Sequence, residues 1–524
     1  MAKKRDNSRG PTSSAFDTVH HTLDGSRLSL ASLDRGLGSR VAVELSATVW
    51  DKVVGSAERV AKIAAGAKAA YGINTGFGPL CTTRIAPEKL FVLQRNLILS
   101  HAMGVGPPAP PEIVRWMMLF KVHALTHGVS GISRKTLECL IALLNADILP
   151  VIPTQGSLGA SGDLAPLAHM VLPMLGLGDV SVDGRTQPAC DVLARHNVEP
   201  IVLGPKEGLA LVNGTQFMSA YAAAIVVRAQ RLARHADLFA SMSLEALACS
   251  VQPFDQRLHE LRPHAGAIES AENVRRLLAD SEILKSHADC DRVQDPYSIR
   301  CVPQVHGASR DAIRHTAGVV EDEINAVTDN PVIFDDGTVI SGGLFHGQPL
   351  ALVLDYIAIA LAELASISER RSYLLLSGTA ELPPFLMEQI GVNSGFMVAQ
   401  YVAAALVSEN KGLCTPASVD SIPTSMGQED HVSMGARAAT KCWQVLENAE
   451  RTLAIEQMLA AQAIDFRKGL LPGMGPRIAH ERIRQHIDHA DADRLFGKDL
   501  ETSLTLLRSQ EILTAVQDEL GPLK

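Results

Sequence analysis

Apolar positions in the C-terminal half of this 524-residue chain recur at the spacing of a helix. Between Trp443 and Phe466, the residues Leu446, Ala449, Leu453, Ala460 and Ile464 fall on one stripe of a 3.6-residue repeat. Helix-compatible runs also cover Gly208 to His235, Asp311 to Asn325 and Leu350 to Leu376. Several long helices in one chain predict a bundle.

The N-terminal half is more broken. Strand-like pieces surround Leu28 to Leu33 and Val41 to Leu45, and a helical pattern starts at Ala47. It is interrupted by Tyr71-Gly72-Ile73-Asn74-Thr75-Gly76-Phe77-Gly78, too rich in glycine to continue a helix. Gly104 to Pro111 is a second break, after which Glu112 to His127 is helical again. The third lies between Ile148 and Pro166, where three prolines and three glycines predict a structured loop inside a helical protein. The pattern therefore divides the chain into a polar tail (1–22), a loop-rich N-terminal domain (23–206), and a central helical bundle with C-terminal helices (207–524).

Composition narrows the function. Aromatics are only 4% of residues, so alanine and leucine carry the apolar content, which favours helix. The net charge of -9 and the lack of a basic stripe interleaved with aromatics argue against a nucleic-acid partner. The basic residues Lys3, Lys4 and Arg5 are followed by polar ones rather than an apolar segment, so no secretory signal is expected. Leu350 to Ile367 is apolar but carries Asp355 and Glu363, which suits a buried helix better than a membrane span. Eight cysteines without a CxxC pair predict reduced thiols and a cytoplasmic protein.

Familiar motifs fail. His123 and His127 have the i, i+4 spacing of metal ligands, but no glutamate follows His123, and Pro263 interrupts the pair His259 and His264. There is no Walker A sequence, and Gly176 and Gly178 lack the third glycine of a dinucleotide fold. No metal site and no bound nucleotide are expected.

The segment Gly156-Ser157-Leu158-Gly159-Ala160-Ser161-Gly162-Asp163-Leu164 has two readings. It is a tight turn in which Ser161 or Asp163 caps the next helix. Alternatively, Gly162, lacking a side chain, lets its backbone nitrogen approach the Ala160 carbonyl carbon. Ring closure with loss of the Ser161 hydroxyl then gives an electrophilic 4-methylidene-imidazol-5-one.

Gly159 to Leu164 resembles the signature loop of the aromatic amino acid ammonia-lyases, and five further segments agree with it in order. Tyr71 to Gly78 is similar to the family's catalytic tyrosine loop, Asn213-Gly214-Thr215 to its amide-bearing helix start, and Gln294 to Arg300 to its second tyrosine loop. Phe345-His346 and Gln428-Glu429-Asp430-His431 complete the set. The resemblance implies a mainly α subunit of the fumarase/aspartase-like type. It also implies a homotetramer with active sites shared between chains, an autocatalytic electrophile from Ala160, Ser161 and Gly162, and no separately bound cofactor.

The chemistry asks for such residues. Eliminating ammonia removes a scarcely acidic β-proton, so an electron sink and a base are needed. Tyr71 is the candidate base; a phenol, with an ordinary pKa of about 10, needs nearby positive charge or helix N-termini for that role. By resemblance Tyr297 is the second phenol. Arg300 has the fork that holds a carboxylate, with Asn213 and Gln294 meeting the remaining polar atoms, and Phe345 and Gln428 wall the cofactor pocket. His101 and Glu429, with Met397 lining the same pocket, resemble the histidine-specific branch. A carboxylate facing a phenyl ring would be buried without a partner, which disfavours phenylalanine. Two positions depart from the family pattern: Leu344 stands where asparagine is expected, and Met426-Gly427 replaces Ala-Asn. The reading is an ammonia-lyase converting L-histidine to trans-urocanate. The alternatives are a tyrosine or aryl ammonia-lyase, a 2,3-aminomutase with the same electrophile and, remotely, a non-catalytic helical scaffold.

Overall fold

The computed structural model describes residues 18–288 and 292–524. Most of them are helical, and they group into two compact units: 18–156, 161–220 and 324–345 in the first, 157–160, 221–323 and 346–524 in the second. This division differs from a cut at residue 207, because Glu207–Val212 and the start of the next helix pack with the first unit and 324–345 returns to it.

In the first unit Thr18–Leu23 pairs in parallel with Arg40–Leu45. Residues 18–22, expected in the tail, are thus a strand, their β-branched residues supplying the propensity and the partner strand the hydrogen bonds. The rest of the expected tail lies outside the described residues. The strand expected at Leu28 to Leu33 is instead a short helix, Leu30–Asp34, started by Ser29, whose hydroxyl accepts from the Ser32 amide at 3.2 Å. Around these lie the helices Ala47–Ala65, Leu90–His101, Pro111–Leu125, Arg134–Asn145 and Leu164–Val171. The proline- and glycine-rich breaks carry short strands: Val105–Pro108 pairs with Pro153–Gln155, and Leu149–Pro150 with Asp179–Val182.

The second unit is the bundle. Gln348–Leu376 and Gly435–Ile464 pack along each other, Met397–Leu413 lies against both, and Val302–Glu323 joins Gln348–Leu376 to Ala265–Leu277. Leu446, Ala449, Leu453, Ala460 and Ile464 are all buried, as their stripe predicts. Gln348–Leu376 is long and apolar enough to cross a membrane, yet its core-facing residues include Asp355, Glu369 and Arg371. Those charges are paired: Asp355 with Lys441 at 2.7 Å, Arg371 with Glu456 at 2.5 Å, and Glu369 with the neighbouring Arg370.

Gly208 to His235 is two helices rather than one, Glu207–Val212 and Gln216–Ala246. Asn213 is extended (ψ 141°) and Gly214 has φ +120°, so the chain leaves the helix at this point. A Cβ at Gly214 would come within 2.5 Å of Thr328 Oγ1.

Burial also sets a pH dependence. His123, bonded through Nε2 to Asn325 Oδ1 at 3.1 Å, and His235, bonded to the Arg231 carbonyl at 3.0 Å, are each pushed down to about 4 by loss of water. Unfolded histidines bind protons near 6.5, so stability present above that pH is lost as pH falls toward 4. Buried Glu245, pushed up to about 7, acts in the opposite sense, but His127, His169 and His306 are lowered too and outnumber it. The urea midpoint is expected to be lower at about pH 5 than at about pH 7; an unchanged or higher midpoint would contradict this balance.

Candidate active site

The Ala-Ser-Gly tripeptide falls where the chain passes from one unit to the other. Ala160 is grouped with the second unit, Ser161 and Gly162 with the first. On the second-unit side the Leu158 carbonyl accepts from the Met434 amide at 3.0 Å, and Gly159, at φ +80°, sits where a Cβ would be 2.1 Å from Ser433 Oγ.

On the first-unit side Gly162 runs beside Gly214. The Asp163 amide donates to the Gly214 carbonyl at 2.7 Å, and the Gly214 amide to the Ser161 carbonyl at 3.3 Å. Gly162 has φ +72°, and a Cβ there would lie 2.1 Å from the Gly214 carbonyl oxygen, so only glycine fits. Ser161 Oγ donates to Asn213 Oδ1 at 2.8 Å. The capping reading fails for Asp163, whose side chain makes no cap bond to its own helix. The carboxylate is buried and accepts from the Met218 amide at 3.0 Å.

Asn213 is held in turn by buried groups. Its Nδ2 donates to the Asn330 carbonyl at 2.6 Å and lies 3.4 Å from Asp329 Oδ1. Asp329 Oδ2 accepts from Lys206 Nζ at 2.5 Å. Lys121 Nζ donates to the carbonyls of Asn213 at 2.5 Å and Ala210 at 3.2 Å. Complete burial pushes the Lys121 ammonium down to about 7.

Tyr71 is half-buried, and its oxygen accepts from the Gly78 amide at 3.2 Å, closing the glycine loop on itself. Gly72, at φ +68°, leaves no room for a Cβ, which would meet Leu209 Cδ2 at 2.2 Å. Asn74 ties the same loop by accepting from the Ala70 amide at 2.8 Å and donating to the Lys68 carbonyl at 3.0 Å. His101 ends the helix Leu90–His101, half-buried, with Nδ1 3.0 Å from Ser100 Oγ. Phe345, also half-buried, closes the last segment of this unit.

In the second unit Gln294 and Arg300 line one open cleft of about 760 Å³, with Arg262, Arg292 and Gln304. Tyr297, exposed, starts the short helix Tyr297–Arg300, and its ring lies 4.3 Å from the Arg300 guanidinium carbon. Asp295 anchors the approach by accepting from the Ser250 amide at 2.7 Å. Arg300 pairs with no carboxylate among the described residues, and its Nε is buried without a partner, unlike a structural salt-bridge arginine.

Glu429 is half-buried, its Oε2 accepting from Thr424 Oγ1 and Ser425 Oγ at 2.7 Å each. The hairpin it closes needs left-handed backbone at Ser425, Met426 and Gly427. Glycine at 427, φ +85°, keeps a conformation that asparagine also tolerates, so this departure leaves the turn intact. Gln428 is exposed, and Met397 begins the helix Met397–Leu413 after a turn held by Asp493 through the Ser394 and Gly395 amides at 2.8 Å. Leu344 is exposed, and nothing in its surroundings explains it.

Sequence reasoning missed Lys121, Lys206 and Asp329, and took Asp163 as a helix cap rather than a buried acceptor. One signal was available: Lys121 is a lone charge in the apolar run Trp116 to Leu125, and such a residue is either paired or misplaced.

Taken together, these features define a helical-bundle protein that displays an Ala-Ser-Gly tripeptide on backbone only glycine can adopt, with the serine hydroxyl bonded to a fixed amide. The sequence model described as aromatic amino acid lyase matches residues 28–485. The chain is 51% identical over 504 residues to the histidine ammonia-lyase of Gloeobacter violaceus, covering 96% of this chain and 98% of that protein. The crystal structure of histidine ammonia-lyase from Trypanosoma cruzi superposes with a TM-score of 0.89 at 41% identity, covering 96% of each chain. That of tyrosine aminomutase from Streptomyces globisporus gives 0.90 at 34% identity, covering 97% of this chain and all of the other. The chain belongs to the aromatic amino acid lyase family.

Proposed function

We propose that this protein is a carbon–nitrogen lyase that eliminates ammonia from L-histidine to give trans-urocanate. The observation that carries the reading is the clamp on the tripeptide: Gly162 pinned against Gly214, with the Ser161 hydroxyl donated to Asn213. Relatives named histidine ammonia-lyase at 45% to 51% identity over nearly their whole length support histidine as the substrate.

The tripeptide fits a 4-methylidene-imidazol-5-one, because Gly162 has no side chain to obstruct ring closure and the Ser161 hydroxyl is held by a single oriented acceptor. That group supplies the electron sink for elimination. Around it, Tyr71 Oη takes the β-proton, Arg300 holds the substrate carboxylate in its fork, and Asn213 and Gln294 meet the remaining polar atoms. Tyr297 assists as the second phenol, and Phe345 and Gln428 wall the pocket. His101, Met397 and Glu429 receive the imidazole. Glu429 suits this task because two hydroxyls already fix Oε2 and leave Oε1 for a ring N–H. We further propose that the enzyme works in the cytoplasm as a homotetramer with shared active sites; the described cysteines, all free, agree with a reducing compartment.

The test is product formation from L-histidine, L-tyrosine and L-phenylalanine in parallel, with the conjugated acrylate and released ammonia measured separately. Urocanate with equal ammonia, from histidine only, is the expected result. Coumarate or cinnamate would overturn the substrate, and a β-amino acid with little free ammonia would make the protein an aminomutase. Glu429→Gln is expected to lower kcat/KM for histidine by about tenfold to a hundredfold, the range for losing one hydrogen bond to a charged group. Unchanged kcat/KM would remove Glu429 from the ring site.

A further inference from the structure

We propose that the buried Lys206–Asp329 ion pair sets the orientation of the Asn213 amide, and through it the direction of the Ser161 hydroxyl, making both residues positioning residues for maturation of the electrophile. This rests on the reading of Ala160-Ser161-Gly162 given above.

The amide of Asn213 has two faces with opposite needs. Its Nδ2 points at two acceptors, the Asn330 carbonyl at 2.6 Å and Asp329 Oδ1 at 3.4 Å, while Oδ1 meets the Ser161 hydroxyl at 2.8 Å. A half-turn of the amide would set its oxygen against those two acceptors. As long as they stay acceptors, the amide keeps one orientation and Ser161 Oγ is compelled to donate.

Asp329 maintains that condition twice over. Its Oδ1 accepts from the Asn330 amide at 2.7 Å, which fixes the peptide that follows, and its Oδ2 accepts from Lys206. Without the cation the carboxylate would be buried without its counter-charge, and the contact that steadies Oδ1 against the Asn213 amide would be lost. Lys206 is built in for the purpose. Its side chain is fully buried, Nζ also donates to the Ser130 carbonyl at 3.0 Å, and its backbone sits at φ +67°, which a side chain rarely adopts. It immediately precedes the helix Glu207–Val212, whose other end is Asn213. One short helix therefore links the cation to the amide it orients.

Maturation requires two losses of water and no oxidant. The Gly162 nitrogen bonds to the Ala160 carbonyl carbon, and that oxygen leaves with the Gly162 and Ser161 amide protons. The Ser161 hydroxyl then leaves with the Ser161 α-proton. A hydroxyl held by one acceptor has one rotamer for the second loss; one freed to rotate does not.

The test is the intact mass of folded protein, isolated by size exclusion and checked by circular dichroism, at a fixed time after synthesis. Wild-type chains should be lighter than the encoded sequence by two waters. Asp329→Asn is expected to slow appearance of the light form by about tenfold or more, the effect of losing one hydrogen bond to a charged group. Because removing one partner of a buried pair endangers folding, the double variant Asp329→Asn with Lys206→Met, which removes both charges, provides the second arm and is expected to be equally slow. Lys206→Arg, which keeps the cation, should mature as wild type does. Full mass loss at the wild-type rate in either folded Asp329 variant overturns the proposal. A wild-type protein that never loses the two waters overturns the tripeptide reading instead.

Discussion

Ser161→Ala is expected to fold normally yet release ammonia from L-histidine on the order of a thousandfold more slowly, equivalent to about 4 kcal/mol of barrier. The substitution removes the leaving group of the second dehydration, so the electron sink cannot form. On the proposed reading Asn213 and Arg300 remain to bind substrate and Tyr71 remains to take the β-proton, but the electron pair left on the carbon has no sink. Structurally the loss is small: one hydrogen bond at a half-buried position, about 1 kcal/mol. Parallel ammonia release and thermal denaturation separate the two effects. Near wild-type turnover would show that the reaction does not pass through this tripeptide.

The second large effect concerns the bundle. Arg371 and Glu456 are both fully buried, joined at 2.5 and 2.8 Å, and two serines complete the carboxylate, Ser243 at 2.7 Å and Ser368 at 2.6 Å. Glu456→Ala strands the guanidinium without its counter-charge and is expected to cost about 3–5 kcal/mol. Replacing both residues with methionine removes the two desolvated charges together and should cost much less. Urea denaturation of the two variants checks the difference; equal costs would mean that packing, not charge, dominates at this site.

The long helices of the second unit could be read from the sequence because periodicity is local: Gly435–Ile464 carries its stripe in its own residues. The loops could be read because glycine is demanded where backbone turns left-handed, as at Gly159 and Gly162, whereas the break at Gly214 sits inside a run whose pattern reads as one helix. Two kinds of feature stayed hidden. Short elements such as Leu30–Asp34 depend on one cap residue rather than on a repeat, and a strand with a parallel partner, such as Thr18–Leu23, gains its stability from residues elsewhere in the chain. The polar support of Asn213 is hidden more deeply. Lys206 and Asp329 are separated by 123 positions, and no local pattern connects them. Candidate site residues could thus be nominated from sequence, while the groups that hold Asn213 required three dimensions.

The contact between Gly162 and Gly214 has a practical side for anyone seeking a hardier enzyme. Exchanging glycine for alanine is a common way to stabilise a protein, since it narrows the freedom of the unfolded chain. At these two positions that route is closed: each would drive a methyl group into backbone or a fixed hydroxyl. Gly318 and Gly412, which lie in helices and would meet nothing within 4 Å, are where such an effort should begin.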